Sequence, residues 1–106
     1  MVMSLESQIE ACAEFLKSFA KPSKTIRPRM HSYTLKHAVE AWQKERTGDL
    51  TTYIHEDSLI EAAERLGFAR KECSAPRNKW QSYAYAMRPI AGAEPMFLTY
   101  PKQAKK

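Results

Sequence analysis

The chain has 106 residues, enough for one core. Its 43% hydrophobic and 27% charged residues, with 3 Gly and 6 Pro, exclude a low-complexity or solenoid protein. A net charge of +5 favours acidic partners such as nucleic acid without requiring one.

The first element predicted is a helix from Leu5 to Ala20, with Ser4 as N-cap. Leu5, Ile9, Cys12, Leu16 and Phe19 repeat at helical spacing and form its expected apolar face. Cys12 is therefore read as a core thiol. The basic run Lys21–Arg29 holds Pro22 and Pro28, which forbid a regular helix and predict a loop.

A second helix is expected from Tyr33 to Arg46, capped by Ser32, with Leu35, Ala38, Val39 and Trp42 inward. Gly48 suits a left-handed C-terminal position. Leu50 to Ile54 reads as a short extended connection. A third helix is expected from Ser58 to Leu66, capped by Glu56 or Asp57, with Leu59, Ile60, Ala63 and Leu66 inward. Gly67 closes it, and Ile54 packs against Ile60 as a hydrophobic staple.

From Phe68 to Met87 the pattern suits two structures. Trp80, Tyr83, Ala84 and Met87 fit a helical stripe, while the alternation from Gln81 to Met87 fits a strand. A β-hairpin beginning near Phe68, with Ser74–Lys79 at its tip, is the preferred reading. Beyond Pro89 an arm docks Met96, Phe97, Leu98 and Tyr100, and residues 101–106 form a basic tail. The expected fold is mainly α, in the α+β class: a single domain over 1–100, with a three-helix core, a C-terminal β-hairpin and a winged-helix-like order.

Charge is distributed unevenly. Residues 21–46 hold seven bases and two acids, and residues 67–88 hold five bases and one acid, whereas residues 47–66 hold five acids and one base. Lys24, Arg27, Arg29 and Lys36 in the first basic block, and Arg77 and Lys79 in the second, are the candidate phosphate contacts. Trp80 and Tyr83 are candidate stacking residues beside them. Solvated loops explain the same charges equally well. Glu56, Asp57, Glu61 and Glu64 make the third helix acidic, which disfavours it as a major-groove recognition helix.

Chemistry-bearing motifs do not emerge. His31, His37 and His55 lie in no metal-ligand spacing, and three glycines build no phosphate loop or nucleophile elbow. No enzyme activity, metal or cofactor is expected. The start lacks a basic segment followed by an apolar run, and no apolar stretch approaches the ~20 residues of a membrane span. With two widely spaced cysteines, a reducing, cytoplasmic setting is the expectation.

One pattern is familiar. It comprises Lys24-Thr-Ile-Arg-Pro-Arg-Met-His-Ser-Tyr-Thr-Leu-Lys-His37, then Glu40, Tyr53-Ile54, Leu59-Ile60-Glu-Ala-Ala63, Leu66-Gly67-Phe68, and Asn78 opening the last element. It resembles small proteins encoded on bacterial plasmids, integrative elements and phages, which read Lys-Thr-Ile, Ser-Tyr-Gly-Leu-Lys-His, Tyr-Ile or Tyr-Val, an Ala-Ala run and Gly-Phe or Gly-Tyr. The resemblance covers about residues 24–85; the chain departs from it at Thr34, where Gly is usual, and in its charged third helix.

No family-wide activity comes with the resemblance, which implies a mobile-element accessory protein. Two expectations follow. One is a non-catalytic protein that binds DNA or RNA through the basic loop and hairpin. The other is a protein antagonist of a host defence complex, for example a CRISPR inhibitor, acting by protein–protein contact. The cluster of Ser32, Tyr33, Leu35, Lys36 and His37 is either a binding surface or a capping arrangement.

Overall fold

The computed structural model describes residues 3–73 and 82–97. Three helices, α1 (Leu5–Phe19), α2 (Ser32–Thr47) and α3 (Glu56–Arg65), pack with strands β1 (Ala20–His31), β2 (Arg70–Cys73) and β3 (Ser82–Pro89). A 3-10 turn, Glu94–Phe97, follows. The strands form one antiparallel sheet with β3 in the centre, β1 on one edge and β2 on the other.

In α1, Ser4 Oγ accepts from the Ser7 N–H at 3.1 Å, the expected cap. The expected stripe meets the core through Ile9, Cys12, Leu16 and Phe19 and is widened by Ala11 and Phe15. Ala11, Cys12, Phe15 and Leu16 are buried, while Leu5 is 63% exposed. Burying Phe15 rather than Leu5 lets its ring meet Phe19, Trp42 and Phe97 edge-on at 5.2–5.4 Å.

The expected loop at Lys21–Arg29 is instead part of an edge strand. Ala20 to Pro22 pair with Pro89 to Met87, Arg27 pairs with Tyr85, and His31 pairs with Ala84. The register slips between these anchors, so β1 departs from the ladder in bulges over 23–26 and 28–30. Proline lacks an N–H, but an edge strand needs donors on one side only, and bulges absorb the rest. This third strand turns the expected C-terminal hairpin into a sheet whose first strand lies between α1 and α2.

Residues 82–89 are strand, which rejects the helical alternative. Tyr85 and Met87, two apart, enter the core, and the small Ala84 and Ala86 alternate with them. The expected hairpin tip, 74–81, and Leu98, Tyr100 and the basic tail lie outside the described residues.

The caps of α2 and α3 also differ from expectation. His31, not Ser32, caps α2: its Nδ1 accepts from the Tyr33 N–H at 3.2 Å. Gly48 ends α2 with φ 77°, the left-handed geometry expected of it. Helix α3 starts earlier than expected, at Glu56, with His55 at the N-cap making no side-chain cap bond. An acceptor comes from α1 instead. Gln8 Oε1 accepts from the His55 N–H at 2.8 Å and from Ser58 Oγ at 3.0 Å. Leu59, Ala62 and Ala63 face inward, whereas Leu66 sits at the surface, 36% exposed. Ile54 is fully buried ahead of the helix, and Phe97 docks from the 3-10 turn. No helix among the described residues is long and apolar enough to cross a membrane.

Candidate nucleic-acid interface

Both cationic blocks reach the same sheet. Arg27 on β1 and Arg70 on β2 are each paired across to Tyr85 on the central strand, and Lys21 faces Arg88 in the row formed by β1 and β3. Neighbouring strands are about 4.8 Å apart, so Arg27 and Arg70 start roughly 10 Å from one another. Lys24, Arg27 and Arg29 are exposed, and none makes an ion pair among the described residues. Lys24 and Arg29 fall on the bulges, which lift them off the ladder.

Arg70 is more constrained. Its guanidinium lies 4.0 Å above the Tyr83 ring and 3.7 Å from Glu64. Tyr83 is thus half-buried beneath a cation rather than openly presented for stacking. Beside it, Tyr85 is fully buried. Burial pushes its phenol up to about 12, against the pull of the nearby Arg70, which does not reach hydrogen-bond geometry with it. Arg77, Lys79 and Trp80 lie outside the described residues.

Lys36 occupies a different environment from the other candidates. It is 3% exposed, and its Nζ contacts Glu40 Oε2 at 3.1 Å. Glu40 also accepts from the Ile54 N–H at 2.9 Å and meets His37 Nδ1 at 3.0 Å. The amine rests 4.2 Å over the Tyr53 ring and 5.7 Å from that of Tyr33. Lys36 is therefore a structural ion pair inside the fold, not a surface cation.

Above Lys36 opens a cleft of about 650 Å³, where the end of β1, the starts of α2 and α3 and the start of β3 meet. All three histidines line it, with Tyr33, Tyr53, Glu56, Asp57 and Ser82. Glu56 Oε2 accepts from Ser32 Oγ at 2.5 Å and from Ser82 Oγ at 2.8 Å. Ser32 Oγ in turn accepts from the Tyr83 N–H at 3.1 Å, tying the sheet to both helices. At His37, burial is the main cause of a pKa below the ordinary value of 6.5; the Lys36 charge adds to it, and Glu40 opposes it. With Nδ1 facing Glu40, its neutral tautomer carries the proton there.

Sequence reasoning picked out the Ser32–His37 segment but not the cleft. The available signal was a tyrosine close to a histidine in two places, Tyr33 with His37 and Tyr53 with His55. Both pairs meet edge-to-face, at 4.7 Å and 4.8 Å. No cluster among the described residues could hold a metal ion.

No protein-family model matches the chain, and no curated protein or solved structure is detectably similar to it.

Proposed function

We propose that this protein is a non-catalytic nucleic-acid-binding protein that grips phosphates with the bulged edge strand β1. The order α1-β1-α2-α3-β2-β3, with β3 central in the sheet, fits a winged helix-turn-helix. In that plan α3 would be the recognition helix, and its acids argue against insertion between phosphate chains. Glu56 and Asp57 stand in its first turn, and Glu61 and Glu64 follow. The binding surface moves instead to the sheet, and a role in a bacterial mobile element is the biological setting proposed for it.

The observation that carries this reading is the register that sets Arg27 and Arg70 on either side of Tyr85. It joins two cationic blocks, distant in the chain, into one field, and Lys24 and Arg29 extend it along the bulges. The rival reading, a protein antagonist docking through acidic α3, is weakened because Glu61 already faces Arg65 at 2.9 Å.

The test is binding of a fluorescein-labelled oligonucleotide as a function of salt. Affinity should fall steeply as salt rises. Arg27→Glu with Arg29→Glu should weaken it and lower the salt slope by about two. Unchanged affinity and slope in that double variant would remove the proposal. A stoichiometric protein partner recovered from host lysate without nucleic acid would favour the antagonist.

A further inference from the structure

The cleft has a chemistry distinct from that of the cationic strand. Five of its nine lining residues carry aromatic rings: Tyr33, Tyr53 and the three histidines. That lining suits a flat, unsaturated guest more than an aliphatic or phosphate one. Tyr53 is 54% exposed although the Lys36 amine lies against its ring, so it offers surface to a guest.

Charge in the cleft argues in the same direction. The Lys36 amine is engaged by Glu40, while Glu56 and Asp57 bring negative charge to the wall. A phosphate would be repelled. A neutral ring carrying an exocyclic amino group would be welcomed.

Glu56 is also oriented in advance. Two hydroxyls, from Ser32 and Ser82, hold its Oε2, and its Oε1 makes no hydrogen bond among the described residues. A carboxylate held in this way is a built acceptor for an amino group on a ring edge, as carboxylates accept from cytosine N4. Finally, β1 ends at His31, which lies on the cleft itself. A chain of phosphates followed along Lys24, Arg27 and Arg29 arrives there.

We propose that the cleft receives one unstacked, amino-bearing nucleobase from a single strand whose phosphates run along β1. The inference rests on the nucleic-acid reading above and deepens it. The base stacks on the aromatic wall at Tyr53, and its amino group donates to Glu56. The cationic bulges hold the backbone outside. Bases inside a duplex are stacked and paired and do not reach the cleft, so single strands are the preferred form.

Fluorescence anisotropy on the full chain tests this with oligo(dC), oligo(dT) and a duplex, each of about 12 nucleotides, within the span that small single-strand-binding folds cover. Oligo(dC) should bind about tenfold more tightly than oligo(dT) or the duplex. Tyr53→Ala should lower oligo(dC) affinity about tenfold with the salt slope unchanged, as loss of a stacking contact requires. The Tyr53 ring also covers the Lys36 amine, so the thermal melt is compared alongside, and Tyr53→Phe, which keeps both the cover and the stacking face, should bind oligo(dC) as the parent chain does. Glu56→Gln, which places a donor beside the acceptor, should erase the preference for oligo(dC) over oligo(dT).

Equal binding of duplex and single strand, or a silent Tyr53→Ala alongside a damaging Arg27→Glu/Arg29→Glu, would overturn the cleft inference and leave the β1 reading intact. No binding of any oligonucleotide would overturn both.

Discussion

Glu40 and Lys36 form an ion pair 3.1 Å long whose members are 7% and 3% exposed. One helical turn of α2 separates them, which aligns the side chains. The pair is not self-sufficient: Glu40 also takes the Ile54 N–H and faces His37, so one carboxylate ties α2 to the connection before α3.

Removing one partner of a buried pair leaves the other charge stranded. Glu40→Ala should destabilise the fold by about 3–5 kcal/mol, because it strands Lys36 and also frees the Ile54 N–H. Lys36→Met should cost less, since Glu40 keeps its other two contacts. Urea denaturation of the two variants measures the difference, and equal losses would contradict the ordering.

His37 makes stability depend on pH. Its folded pKa lies below the unfolded value near 6.5, chiefly through burial. The unfolded chain therefore binds a proton more readily than the native one. The stability linked to His37 is fully present above pH 6.5 and is lost as pH falls through the folded value. The melting temperature should drop between about pH 7 and pH 5. His37→Asn should flatten that part of the curve.

The two cysteines should separate cleanly in reactivity. Burial, helped by the Glu40 charge, pushes the Cys12 thiol up to about 12, so the thiolate is scarce at neutral pH. Cys73, on β2, is only half-buried. A thiol reagent at pH 8 should modify one cysteine per native chain, identified by mass spectrometry as Cys73, and two in denaturant. Prompt native labelling at Cys12 would contradict its place in the core.

Gly48 closes α2 with φ 77° and has nothing within 4 Å of where a Cβ would stand. Gly48→Ala should therefore lose about 1 kcal/mol from backbone strain alone, without a steric clash. A loss of several kcal/mol in chemical denaturation would show that the end of α2 carries more than its cap.

By itself, the sequence determined the elements written in short-range terms. The Ser4 cap, the three helices, the Gly48 stop and the core place of Cys12 follow from spacing and side-chain chemistry within a few residues. Tertiary structure decided what depends on partners far along the chain. Pro22 and Pro28 read locally as loop, yet β1 is a strand because β3 offers it a ladder and an edge position tolerates missing donors. Lys36 reads as a surface cation, yet Glu40 and Tyr53 enclose it. The cleft unites His31, Tyr53, Glu56 and Ser82, whose proximity no local periodicity encodes, because it arises only when two helix starts and two strand ends are packed against one another.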